Sequence, residues 1–535
     1  MTPKQVFVRE ATGIVRTFGG FDTFWLISLG LAGNALPSAA AFLGYYTFLA
    51  PNGDIPTQCL LGAIASLIAY WPLMLLTVAM PRTGGDYLFV SRMIHPALGF
   101  MNNFVFTIGA AIGIGVSLPF LVYSSLASPG YFLSLQTGNK ALFDFATSSS
   151  QPTYAFALGT IYLLILTAIM LVGARAIKIF NRLTLVLVVI GCLIVTWVGL
   201  AHSHADFVNA FNALAPQTGV TYEQVIEIAK QAGWSPPQFT FLGAIPGVMV
   251  SGLITYYGLG YSYYGSEIKG VTKTIPIATL LAVFSGAAFY ALIGWMFYNL
   301  FGVDFYGALS WLTFGPGAGA NPFPVVPFHT GVLLILAPEL QLVLGIILAI
   351  VWLMWFVGFS MMATRSMFAW SFDRIMPEAM SRVSPRFHTP IATVIILFVL
   401  AEIFQYIYIF TTIFTTMFNF FLFLVSVLIL PSICAVIFPF LKKTKPLFDA
   451  APPIVKTKIA GVPLISLLGV GGTYISIWTM WMYLQIPTMG PLNPAAFGLF
   501  VGSFVLGLII YFVAKVWRSR QGIDLSLVFK EVPPE

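Results

Sequence analysis

Residues 239–276, FTFLGAIPGVMVSGLITYYGLGYSYYGSEIKGVTKTIP, are apolar enough to cross a membrane. They nevertheless carry Gly258-Leu259-Gly260 at mid-span and end on Ser266, Glu267, Lys269 and Lys273. Each glycine weakens a helix, and backbone freed at membrane depth must find partners inside the protein or in a wet cavity. A segment whose only task is to span would avoid such a pair at its centre. Residues 29–37 (LGLAGNALP), early in the chain, have the same character. Two interrupted hydrophobic segments, one in each half of the chain, point to a transporter binding site.

The composition names the solvent. Of 535 residues, 59% are hydrophobic and 8% charged, whereas soluble domains are about a quarter charged. So much apolar side chain requires lipid. The 48 glycines suit close helix packing in a membrane. Cys59, Cys192 and Cys434 each fall in a hydrophobic stretch, too far apart for a metal motif and with no disulfide framework, so they read as small packing residues. No cleavable signal is evident: the first apolar segment starts near Phe21 and is longer than a signal-peptide core.

Twelve spans are expected, by a criterion of about 20 apolar residues, over 20–48, 57–80, 98–126, 154–173, 179–201, 239–276, 277–301, 339–363, 390–408, 412–440, 461–486 and 493–516. Residues 222–231 (YEQVIEIAKQ), between spans 5 and 6, read as a short surface helix, and Pro338-Glu339 suits a helix start. Alternate connections divide the charge unevenly. One side takes 23 of the 25 Lys and Arg, leaving Lys140 and Lys230 on the other. By the positive-inside rule both termini are cytoplasmic in a multi-pass cell-membrane protein. The net charge of +7 is then a topology signal spread over seven segments, and the nucleic-acid reading falls.

The spans themselves read as nearly uncharged, with Glu402 of span 9 the exception. An intramembrane carboxylate is a functional candidate. The competing reading is a protonated or snorkelling side chain near the outer end of its helix. No cluster of His and Asp and no metal-ligand spacing stands in the membrane, which argues against membrane enzymology and against a cofactor or metal.

After span 2 comes Met80-Pro81-Arg82-Thr83-Gly84-Gly85-Asp86-Tyr87, then Val90-Ser91-Arg92 and Pro96-Ala97-Leu98-Gly99-Phe100. Pro81 stops the helix, the glycines allow a tight re-entry, and the arginines anchor the loop. This stretch resembles the PRxGGxY…SR…GPxxGF signature of the amino acid–polyamine–organocation (APC) superfamily. Gly33-Asn34-Ala35 stands where that family has Gly-Ser-Gly, and residues 265–276 resemble its exit from span 6. Ala363-Thr364-Arg365-Ser366-Met367 to Asp373-Arg374, with Met376-Pro377 and Thr389-Pro390, resembles its loop after span 8, and Gln521-Gly522-Ile523-Asp524 its tail. The resemblance covers spans 1 to 9 in order.

It implies the leucine-transporter-like fold: an all-α polytopic membrane protein with a 5+5 inverted repeat, broken helices 1 and 6, and two peripheral helices. The segments are then 1–19, a cytoplasmic N-terminal stretch; 20–201, the first repeat; 202–239, an extracellular loop; 240–440, the second repeat; 441–460, a cytoplasmic loop; 461–516, helices 11 and 12; and 517–535, a cytoplasmic tail. Facing breaks present helix N-termini to a carboxylate and carbonyls to an ammonium, so a zwitterion can be held without charged side chains. The expected substrate contacts are backbone at Gly33, Asn34 and Ala35 and at Gly258, Leu259 and Gly260, against the reading that these glycines only let helices pack. Asn34 and Ala35 depart from the family pattern, which leaves room for a tighter or partly side-chain-built cradle. Tyr256, Tyr257 and Phe359 match pocket positions of the family, though each taken alone reads first as a packing or interface aromatic. Gly109 and Gly113 form a small-xxx-small face in span 3 that gives either substrate room or helix contact.

Coupling is open between proton, sodium and exchange. Span 5 lacks the lysine of some proton-coupled relatives. Ser360 and Thr364 offer hydroxyls either to a sodium ion or to their own backbone. Glu267 matches a family acid, either paired with Lys269 or Lys273 or a neighbouring loop at a wet edge, or acting as a proton-responsive gate. The expected protein is a secondary transporter of an amino acid or related amine working by alternating access, with a small-molecule substrate and the lipid bilayer as its partners. An amino-acid sensor without net transport, or a transporter of another organic solute, is the alternative.

Overall fold

The computed structural model describes residues 16, 18–27, 37–250, 260–384, 386–387, 389–414, 419–486 and 493–529. Among these, ten helices are long and apolar enough to cross a membrane: Ile55–Ala79, Pro96–Thr137, Pro152–Val172, Ala174–Ala201, Val271–Phe301, Pro338–Phe372, Ile391–Phe410, Phe420–Ile437, Leu464–Leu484 and Pro494–Arg520. They fall on spans 2–5 and 7–12, and the protein is an all-α polytopic membrane protein. Spans 1 and 6 both contain residues outside the described set. Span 1 is described as helices Gly20–Ile27 and Pro37–Leu49. Span 6 is described as the short helices Phe241–Ala244, Gly247–Val250 and Gly260–Tyr263, followed by a 3-10 turn at Gly265–Glu267.

Local chemistry sets where helices start and stop. Span 2 begins where the Asp54 side chain accepts from Thr57 N at 2.9 Å, which satisfies an orphan donor of the first turn. Span 3 begins where the His95 ring accepts from Ala97 N at 3.1 Å. It runs on through a π-helical turn at Tyr123–Ala127 to Thr137, where Gly138 takes a left-handed φ of 67°, so span 3 is longer than expected. Spans 4 and 5 turn at Gly173, φ 88°, where an added Cβ would strike the Phe387 carbonyl.

Spans 7 and 8 and the connection between them also differ from expectation. The helix of span 7 starts at Val271 behind a left-handed Gly270 and contains Pro276 in its second turn, so residues 271–276 belong to span 7 and not to span 6. Span 8 continues to Phe372, well past residue 363. The Gly- and Pro-rich connection after span 7 contains a helix, Val303–Phe314. The expected helix Tyr222–Gln231 is present, with a capping box between Thr221 and Gln224. It packs on Val303–Phe314 through Tyr222 and Phe305, stacked 4.6 Å apart. A second capped helix, His204–Ala213, precedes it.

Span 3 is the axis of the bundle. It packs against spans 8, 9, 10 and 12, while span 2 packs against spans 7 and 11. Spans 4 and 5 turn Ile161, Leu164, Leu183, Val186 and Leu193 outward, the side chains a lipid-facing surface requires.

Candidate functional site

Seven expected pocket residues, Gly33, Asn34, Ala35, Tyr256, Tyr257, Gly258 and Leu259, lie outside the described residues. Gly260 is buried at the head of its short helix, and an added Cβ would stand 2.5 Å from the Tyr264 hydroxyl. Phe359 is buried on span 8, 4.7 Å from Trp355 and 6.2 Å from Phe420 between ring centroids. Gly109 and Gly113 face span 10: an added Cβ would meet Phe423 at 2.6 Å and the Phe420 ring at 2.9 Å. Their smallness is used by these aromatic rings, which brings spans 3, 8 and 10 into one aromatic layer. Thr364 spends its hydroxyl on the Ser360 carbonyl at 2.6 Å, as the backbone-bonding reading has it. Among the described residues, the buried Ser360 hydroxyl has no hydrogen-bond partner.

A dense polar lattice stands at the end of the bundle where most Lys and Arg collect, referred to below as the basic face. The loop after span 2 and the end of span 6 run side by side: Gly84 N donates to Tyr263 O at 3.2 Å and Gly85 N to Ser262 O at 3.0 Å. The Thr83 and Ser266 hydroxyls share a hydrogen bond of 2.5 Å. On the other side, Phe18 N donates to Glu267 O at 3.0 Å and Lys269 N to Phe18 O at 2.9 Å. The start of span 1, the loop after span 2 and the end of span 6 are thus joined through isolated β-bridges, Phe18 with Ile268 and Thr83 with Tyr264.

Glu267 closes this lattice onto span 8. Arg365 Nε donates to Glu267 Oε1 at 2.8 Å and Arg365 Nη2 to Oε2 at 3.2 Å. The side chains are 4% and 2% exposed. The expected pairing with Lys269 or Lys273 at a wet edge is therefore corrected. Because span 8 extends past residue 363, Arg365 sits inside the helix and reaches Glu267 in a buried, two-pronged contact. Guanidinium geometry favours this over a lysine.

A second buried pair lies beside it. Arg92 Nη1 is 2.7 Å from Asp373 Oδ2, and the Tyr87 hydroxyl donates to the same oxygen at 2.6 Å. Burial first, and the Asp373 charge second, hold the Tyr87 phenol well above its ordinary range, so it stays a donor. The tail completes the group: Arg92 lies over the Phe529 ring at 4.8 Å, and Lys443 Nζ donates to Phe529 O at 3.2 Å. Replacing Phe529 with alanine is expected to cost about 2 kcal/mol or more, from the lost cation–π contact and buried ring. It should lower the melting temperature while leaving uptake in place, and a melt unchanged from wild type would show that the tail contact carries no weight.

Two further groups escaped the reading of the sequence. Asp22, within span 1, is buried and faces Lys178 Nζ at 3.1 Å and Arg182 Nε at 3.2 Å on span 5, so Glu402 is not alone among acids within the spans. Its place in the first helical turn, with basic residues at the head of span 5, was the available signal. Asp86 is the other, enclosed by amides and a tyrosine. Glu402 itself accepts from Thr160 of span 4 at 2.6 Å, and its Oε2 is buried without a partner among the described residues. It lies between spans 4 and 9, away from the basic-face lattice.

The family model for amino acid permeases matches residues 29–525. The chain belongs to the amino acid permease family. No curated protein matches it as a relative. The permease is a multi-pass membrane protein of a family that carries amino acids or amines. The lattice joins four segments of the permease: the start of span 1, the loop after span 2, the end of span 6 and span 8.

Proposed function

We propose that this permease is a secondary transporter that carries an amino acid or related amine by alternating access. The substrate is held at the unwound centres of spans 1 and 6 in a twelve-span, 5+5 inverted-repeat bundle, with the basic face in the cytoplasm. The observation that carries this reading is the lattice around Glu267. Hydrogen bonds and one ion pair join spans 1, 6 and 8 and the loop after span 2 there, alongside the buried rings of Phe18, Tyr263 and Tyr264. Such a contact can be exchanged for water at small net cost, because the groups released are solvated as they part. The distribution of Lys and Arg supports the orientation.

The test is uptake of labelled amino acids and amines into proteoliposomes under a proton gradient, a sodium gradient or neither. Accumulation or exchange of at least one of them is expected. If nothing accumulates or exchanges under any gradient, the transport reading fails. Gly258→Leu is expected to abolish uptake with expression unchanged, since a β-carbon and branched side chain would enter the proposed backbone cradle. Normal uptake by this variant would remove span 6 from the binding site.

A further inference from the structure

A substrate held at the centres of spans 1 and 6 meets no spare charge. Residues 23–53, 55–81, 96–139, 231–266, 274–303, 340–364 and 403–441 contain no Asp, Glu, Lys, Arg or His. These stretches carry spans 1, 2, 3, 6, 7, 8 and 10 between the basic face and the outer ends. The buried carboxylates of the basic face are engaged: Glu267 with Arg365, Asp373 with Arg92, and Asp22 with Lys178 and Arg182. Asp86 accepts from Asn102 at 2.7 Å and from Asn103 and Tyr263 at 2.6 Å each. Glu402 stands apart between spans 4 and 9, where Thr160 donates to it. His329, in the connection after span 7, is enclosed by Tyr306, Phe297 and Phe301.

Spans 3, 8 and 10 meet in a layer of buried rings. Phe420 of span 10 lies 6.0 Å from Trp355 and 6.2 Å from Phe359 of span 8, between ring centroids. It fills the notch at Gly113, where an added Cβ would stand 2.9 Å from its ring, and Phe423 fills the notch at Gly109 in the same way. The described end of span 6, Gly260–Tyr263, packs on span 8. On the same stretch of span 8, Trp355 Nε1 and the Ser360 hydroxyl are buried and have no hydrogen-bond partner among the described residues. Two open donors beside an otherwise apolar layer mark where the polar atoms of a ligand can be received.

We propose that the substrate is a neutral amino acid whose apolar side chain lies against Trp355, Phe359 and Phe420, and that amino acids with charged side chains and polyamines are excluded. The proposal rests on the transport reading above and narrows it. Facing breaks in spans 1 and 6 offer backbone to one carboxylate and one ammonium. A third charge, on the side chain of the substrate, would be buried with no counter-ion. A hydrocarbon side chain gains by leaving water for the same wall. A polyamine brings two or more ammonium groups and no carboxylate, so at least one of them would stay unpaired. Phe420, the ring shared by all three spans, sets how much side chain the layer accepts.

The experiment reads binding and uptake in parallel on the full chain. Binding is followed by the rise in melting temperature with alanine, leucine, phenylalanine, lysine, glutamate or putrescine, and uptake of the same labelled compounds is followed in proteoliposomes. Leucine or phenylalanine is expected to bind and enter, with lysine, glutamate and putrescine weaker by about 100-fold or more. In Phe420→Ala the preference for phenylalanine over alanine should rise about ten-fold. That ratio, taken within one variant, does not depend on how much of the protein folds. Lysine, glutamate or putrescine bound as tightly as leucine overturns the proposal, as does an unmoved ratio in Phe420→Ala. Neutral ligands that bind without entering the liposomes leave the ligand class standing and overturn transport. Neither binding nor uptake of any compound overturns both.

Discussion

Arg365→Met is expected to lower stability by about 3–5 kcal/mol and to abolish uptake, because it leaves the Glu267 carboxylate buried without its counter-ion. Both Glu267 oxygens accept from Arg365 in the present arrangement, so the substitution strands two acceptors at once. The double variant Glu267→Gln/Arg365→Met should recover most of the stability, since no unpaired charge remains, but it should not recover normal uptake. Thermal denaturation of the two singles and the double forms a cycle that isolates the pairwise term. A single variant as stable as wild type would mean that the pair does not hold span 6 to span 8.

The second large effect is expected at Gly85. Its φ of 56° and ψ of −130° form a conformation essentially reserved for glycine, and an added Cβ would stand 2.8 Å from the Tyr263 ring. Gly85→Ala should cost about 1–3 kcal/mol in backbone strain alone, with a steric term added, and should disable uptake by forcing Tyr263 away from Asp86. Gly502→Ala is the control: it lies in the helix Pro494–Arg520 with nothing within 4 Å of the added carbon, and should be neutral or slightly stabilising. Equal losses in the two variants would point to a general effect of glycine replacement and not to the loop.

Much of the architecture was legible in the chain because the bilayer imposes a coarse, one-dimensional rule. A run of about 20 apolar residues has few alternatives to a helix when backbone groups cannot bond to water. The surface helix Tyr222–Gln231 was legible for a similarly local reason, its apolar face and its Thr221–Gln224 box. The helix Val303–Phe314 was not. Gly302 and Gly315 at its ends read as loop, and what stabilises the segment is burial of Phe305, Tyr306 and Leu309 against distant parts of the chain. The end of span 8 was misplaced because Arg365 looks like the point at which a helix leaves the membrane. Its charge is instead cancelled by Glu267, about a hundred positions earlier.

By itself, the sequence determined that this is a helical membrane protein, where its hydrophobic spans lie, and that two of them are interrupted by glycine. Those properties depend on composition over short windows, and the lipid solvent enforces them locally. It also carried the family, through motifs whose glycines and prolines constrain the backbone at fixed positions. Only the tertiary structure decided which charges are spent on one another: Glu267 on Arg365, Arg92 on Asp373, Asp22 on Lys178 and Arg182. It also singled out Asp86 as an acid held by neutral donors alone. Pairing depends on approach within a few ångströms across helices far apart in sequence, and whether a carboxylate is buried or wet depends on everything packed around it. Neither quantity has a local signature.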